Sequence, residues 1–146
     1  MFKSILVPID FSESASQVVR LAVQVARAGG GKLTLLHVGM APGAQAVETY
    51  GVPVSAVLPE LYDQLAKEGL HVLQRLGREE VPEDVEWRAV ARDGYAADEI
   101  LAEVGTGAYD LLVMGTHGRR GLTRAVLGSV TEHVIREAKV PVLVTK

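Results

Sequence analysis

Five short apolar runs alternate with four longer stretches of helical periodicity, and that alternation restricts the chain to few architectures. Ile5-Leu6-Val7-Pro8-Ile9, Leu33 to Val38, Val85 to Val90, Leu111 to Met114 and Val142-Leu143-Val144 read as strands. Runs this short and this continuous suit strands buried on both faces of a parallel sheet. In the first helical stretch Val18, Leu21, Ala22, Val25 and Ala26 recur at helical spacing, and Gly29-Gly30-Gly31 stops it. The second spans Pro59 to Leu76, with Leu61, Leu65, Val72 and Leu76 on one side. Ala97, Ile100, Leu101 and Val104 mark the third, ended by Gly105. Leu127, Val130, Thr131, Val134 and Ala138 mark the fourth, which Pro141 keeps from continuing. Strands alternating with helices predict a parallel α/β sheet covered by helices, joined by right-handed connections. A chain of 146 residues without repeat or linker suits one domain spanning 1–146. Only Gly39 to Leu58, with Pro42, Gly43, Gly51 and Pro53, is irregular at length, and such segments commonly serve as lids.

The chemistry concentrates after the fourth strand. Gly115-Thr116-His117-Gly118 is followed by nine residues and then Gly128-Ser129. Strand, glycine loop and helix N-terminus together make an anion site. Glycines let the backbone approach closely, and the first amides of a helix lack intrahelical acceptors and sit at the positive end of its dipole. Arg119, Arg120 and Arg124 lie between the glycines, where guanidinium groups suit phosphate oxygens or simply face solvent. His117 lies in the same loop, with or without a role toward phosphate. The spaced glycines therefore point to a phosphorylated ligand. Gly29 to Gly31, by contrast, follow a helix and read as its cap.

Ligands in open parallel sheets sit at the carboxyl ends of strands where the strand order reverses. The first strand ends in Pro8-Ile9-Asp10-Phe11-Ser12. If the first and fourth strands are neighbours, Asp10 faces the glycine loop. Its carboxylate can accept from two ribose hydroxyls, or Asp10 and Ser12 cap the first helix.

Composition excludes several classes. Net charge is −3 with a pI near 5.8, which argues against nucleic-acid binding. There is no cysteine for a disulfide or thiolate site, and no apolar stretch long enough to span a membrane. The start, Met1-Phe2-Lys3-Ser4-Ile5, lacks a signal-peptide layout, so the cytoplasm is the expected compartment. Asparagine is also absent, which suits a thermophilic source as well as GC-rich coding or chance. Other motifs fail: there is no G-x-x-x-x-G-K-[ST], no G-x-G-x-x-G after the first strand, and no G-x-S-x-G. His37, His71, His117 and His133 have no metal-ligand spacing.

The pattern G-2x-G-9x-G-[ST], here Gly115, Gly118, Gly128 and Ser129, resembles the nucleotide loop of the universal stress protein family. The opening Ile5 to Ser12 and the tail Leu127 to Ile135, then Val140 to Val144, are similar to that family as well. The resemblance implies a Rossmann-like five-stranded parallel sheet in order 3-2-1-4-5 with helices on both faces, and ATP at the carboxyl ends of strands one and four. Asp10 would hold the ribose hydroxyls. Pro8, Ile9, Val38 and Met114 would enclose the adenine. Gly115, Gly118, Leu127, Gly128, Ser129 and Val130 would surround the phosphates, with His117 and Arg119 lining their path. Mg or Mn, if bound, would be held by phosphates and water rather than by protein alone.

The family also implies a homodimer through strand five, Val140 to Thr145. An apolar edge strand with no chain after Lys146 to cover it points the same way, toward antiparallel pairing across a two-fold axis. The expected function is an adenine-nucleotide-dependent stress or signalling module with a protein partner, since no catalytic base or nucleophile stands out. A slow ATPase or phosphotransfer enzyme, and a structural dimer with a vestigial site, are the alternatives.

Overall fold

Alternate residues of the central strands meet two different pairs of helices. The computed structural model describes residues 1–39, 59–116 and 127–146. Its elements run β1 (Ser4–Pro8), α1 (Ala15–Gly29), β2 (Lys32–Gly39), α2 (Pro59–Glu80), β3 (Trp87–Asp93), α3 (Ala96–Gly105), β4 (Leu111–Gly115), α4 (Ser129–Glu137) and β5 (Val142–Thr145). Ile5, Val7, Leu33, Leu35, Leu111 and Val113 face one way, against Val18, Val19, Ala22 and Ala26 of α1 and Leu73 of α2. Leu6, Leu36, Leu112 and Met114 face the other way, against Ile100 and Val104 of α3 and Val134 of α4. Each central strand is thus apolar on both faces, which is why it reads as an unbroken apolar run.

The five strands form one parallel sheet in order β3-β2-β1-β4-β5. The order and the helix placement match the sequence-based expectation. The chain steps outward from β1 through β2 to β3, then returns to lay β4 on the other side of β1. The reversal therefore falls between β1 and β4, which pair through Ile5↔Leu111 and Leu6↔Leu112. Both carboxyl ends lie at this switch point, where open parallel sheets form a crevice.

Helix α1 ends on a Schellman motif. Gly30 takes φ 61° and ψ 40°, its N–H reaches Arg27 O, and the Gly31 N–H reaches Ala26 O. The glycine run is a cap, as the sequence suggested.

Four expectations need correction. The third strand does not begin at Val85. It starts at Trp87 and runs to Asp93, because the Val85 N–H closes a turn onto Pro82 O while its side chain fills the α1–α2 core. Helix α2 runs on to Glu80, past the expected end at Leu76. On that helix Leu73 is fully buried and Leu65 is 41% exposed, so the inward side is set by Leu73 and Leu76 rather than by Leu65. The side chain of Leu61 lies outside the described set. Finally, Leu127 precedes α4 and Ala138 caps it, while Val130 lies on the exposed side, leaving Thr131 and Val134 as the buried pair.

The α3 face also buries a polar network. The Tyr109 hydroxyl donates to Glu103 Oε1 at 2.6 Å, and Arg92 pairs with Glu103 Oε2. Arg88 donates to Thr34 Oγ1 at 3.1 Å and to the Tyr109 hydroxyl at 3.1 Å. Burial acts to raise the Glu103 pKa, but Tyr109, Arg92 and Arg88 outweigh it and hold the carboxyl below its ordinary range. Burial, with Glu103 as acceptor, pushes the Tyr109 phenol up. Among the described residues no buried side-chain nitrogen or oxygen lacks a partner.

Candidate functional site

Two hydrogen bonds tie the start of α4 to the carboxyl end of β4. The Gly115 carbonyl accepts the Thr131 hydroxyl at 2.9 Å, which ties the first turn of α4 to the strand end. One residue on, the Thr116 carbonyl accepts the Gly128 N–H at 2.8 Å, while the Thr116 N–H donates to Thr145 O at 2.8 Å. Thr116 thus extends the β4–β5 ladder by one bond and anchors the residue that opens α4.

Gly128 is the N-cap of α4, with φ −61° and ψ 146°. Its carbonyl accepts the first intrahelical bond, from the Glu132 N–H at 2.9 Å. The amides of Ser129, Val130 and Thr131 come before that bond and have no intrahelical acceptor. A glycine brings no side chain to cap them. The positive end of the helix dipole and these donors lie beside the end of β4, an arrangement that favours an anion.

Across the crevice, the chain leaves β1 through a tight turn. The Ile9 N–H still bonds Leu36 O at 2.8 Å. Asp10 Oδ1 accepts the Ser12 N–H at 3.0 Å, forming an Asx turn. Asp10 is not the N-cap of α1, a position held by Ser14 without a side-chain bond to the helix. Between them Phe11 takes φ 57°, a left-handed conformation that costs an aromatic residue about 1–2 kcal/mol. His37 Nδ1 lies 2.8 Å from Ile9 O, and the His37 ring lies against Phe11 with centroids 4.1 Å apart.

The structure brings Pro8, Ile9, Asp10, Val38, Met114 and Gly115 to one edge of the sheet, at the ends of three adjacent strands. They do not form a single side-chain cluster. Ile9 is buried in the α1–α2 core, whereas Met114 and Val38 belong to the α3–α4 core. Leu127 and Gly128 are half-buried, and Ser129 and Val130 are exposed at the start of α4. His117, Gly118, Arg119, Arg120 and Arg124 lie outside the described residues, as does the segment 40–58. Among the described residues no group of three or more His, Asp or Glu could hold a metal ion, and no helix is long and apolar enough to cross a membrane.

Sequence reasoning missed two contributors. Thr131 reads as an ordinary position of an apolar helix face; a hydroxyl three residues after the last glycine of the motif was the available signal. His37 reads as one more histidine without metal spacing, and nothing local betrays that it reaches back to β1.

The model of the universal stress protein family matches residues 1–146. The chain is 28% identical over 148 residues to the universal stress protein YxiE of Bacillus subtilis, covering 100% of both chains. It is 29% identical over 164 residues to the universal stress protein MJ0577 of Methanocaldococcus jannaschii, covering 100% of this chain and 96% of the other. The solved structure of MJ0577 superposes with a TM-score of 0.82 at 30% identity, covering 100% of this chain and 96% of that one. A universal stress protein from Archaeoglobus fulgidus, solved in complex with dAMP, shares the fold with a TM-score of 0.65 at 23% identity, covering 99% and 98%.

Proposed function

Because this chain belongs to the universal stress protein family, we propose that the crevice between β1 and β4 binds ATP and that the protein acts as a nucleotide-dependent stress or signalling module. The observation that carries this reading is the pair of bonds joining Gly115 and Thr116 to Thr131 and Gly128. They set the amide-rich start of α4 beside the end of β4, the strand next to β1, and the chain leaves β1 through Asp10. A phosphate chain would take the amides of Ser129 and Val130 and the Ser129 hydroxyl. Asp10, whose Oδ1 accepts the Ser12 N–H, would accept from the ribose hydroxyls as well.

The adenine would lie along the edge formed by Pro8, Val38 and Met114, where it can meet apolar surface and backbone polar groups. His117, Gly118, Arg119 and Leu127 complete the proposed set around the phosphates. Mg or Mn, if bound, would be carried by phosphate oxygens and water.

We infer binding rather than turnover, with a slow ATPase or phosphotransfer enzyme as the alternative. The edge strand β5 pairs with β4 and is half-buried along its length, which supports a homodimer formed through Val140 to Thr145. Isothermal titration with ATP, ADP and cyclic nucleotides tests the nucleotide reading, and absence of binding to all of them would refute it. Sedimentation equilibrium tests the dimer.

A further inference from the structure

Ile9 lies beyond the last residue of β1, yet β2 holds it at both ends. Its N–H donates to Leu36 O at 2.8 Å, a backbone bond. Its carbonyl is 2.8 Å from His37 Nδ1. A carbonyl can only accept, so the proton sits on Nδ1 and the imidazole donates. The side chain of His37 thus supplies a rung that the backbone ladder no longer provides.

The same ring packs on Phe11, 4.1 Å between centroids and tilted by 30°. Phe11 is the only non-glycine residue with positive φ among the described residues. Asp10 therefore sits between two residues that His37 holds, Ile9 by a hydrogen bond and Phe11 by ring contact. On the far side of the imidazole, α2 presents Gly69, where a Cβ would come 3.3 Å from His37 Cδ2. A glycine in a helix interior is unfavourable, and here it makes room for the ring.

We propose that His37 is a positioning residue for ribose recognition. Its bond to Ile9 and its contact with Phe11 fix the strained turn, and the turn aims the Asp10 carboxylate at the sugar hydroxyls. His37 itself need not touch the nucleotide. This inference rests on the reading that Asp10 takes the ribose. It predicts that the protein's preference for a ribonucleotide over its dideoxy counterpart depends on a side chain from a neighbouring strand.

Calorimetric titration of wild type, His37→Leu and His37→Asn with ATP and 2′,3′-dideoxy-ATP tests it. Wild type should favour ATP by about tenfold, the scale of one hydrogen bond to a charged group. His37→Leu should bring the ratio toward one while leaving the dideoxy-ATP affinity within about twofold. His37→Asn, which keeps an N–H near the place of Nδ1, should restore most of the preference. A His37→Leu protein in which both affinities fall together and the ratio persists would show that His37 only stabilises the fold, and would overturn the inference. Wild type that binds neither ligand refutes the site reading itself, and wild type that binds both equally refutes the Asp10 clamp.

Should His37→Leu fail to fold, the wild-type Nδ1–H signal in a ¹⁵N-histidine spectrum decides. It should shift on saturation with ATP and clearly less with dideoxy-ATP; equal shifts, or none, overturn the inference.

Discussion

The Thr131 hydroxyl donates to the Gly115 carbonyl at 2.9 Å, and this bond joins the end of β4 to the first turn of α4. Thr131 is buried, so its loss leaves a carbonyl short of a partner within the protein. Thr131→Val keeps the shape and removes the donor. It should lower stability by about 1–3 kcal/mol and weaken ATP binding by about tenfold, because the helix start loses its register on the strand. Thermal unfolding and titration calorimetry measure the two effects; unchanged ATP affinity would detach this bond from the site.

Gly128→Ala separates space from strain. With φ −61° and ψ 146°, Gly128 occupies a conformation open to any residue. The substitution should therefore cost about 1 kcal/mol or less, the scale of a poorer N-cap. ATP affinity should nevertheless fall by about tenfold or more, since a methyl group would stand where a phosphate approaches the backbone. A variant that loses stability but not affinity would contradict this.

Gly77 marks the opposite case. A Cβ there would lie 2.2 Å from Trp87 Cζ3 and 2.3 Å from Cη2, so the indole, the sole tryptophan of the chain, must move. Gly77→Ala should destabilise by about 1–3 kcal/mol and shift Trp87 emission to longer wavelength. Unaltered fluorescence and melting would show that the α2–β3 packing is looser than described.

Glu103 links stability to acid. Its folded pKa lies below the ordinary value, so the folded protein binds this proton more weakly than the unfolded chain. The contribution is present above the usual carboxylate range and is lost as pH falls through that range toward the folded pKa. Glu103→Gln should cost about 1–3 kcal/mol near neutrality and flatten the acid limb of the stability curve. Urea unfolding at about pH 7 and about pH 3 tests this; equal sensitivity of both proteins to acid would remove Glu103 from the account.

The sheet was legible because β1, β2 and β4 are apolar on both faces, so Ile5 to Val7, Leu33 to Leu36 and Leu111 to Met114 stand out as runs. Edge strand β3 was legible only in part. Its far half, Ala91-Arg92-Asp93, ends in two exposed charged residues, and it is a strand because β2 pairs with it through His37 to Gly39. The inward side of α2 was misread for a related reason. It includes Gly69 against His37 and Gly77 against Trp87, and a glycine that serves a large neighbour adds nothing to an apolar period.

At the candidate site, the strand ends that carry Asp10 and Gly115 and the glycine that opens α4 were legible, because turns and a helix start favour particular residue types. The role of His37 was not, since it depends on a contact across strands between residues 28 apart in sequence.

Titration of the purified protein with ATP, alongside Asp10→Ala, tests the central claim most directly. Saturable binding by wild type that weakens by about tenfold or more in Asp10→Ala is the expected result, the loss of a charged hydrogen-bond acceptor for the ribose. Equal ATP affinity in the two proteins, or no binding by wild type, would contradict it.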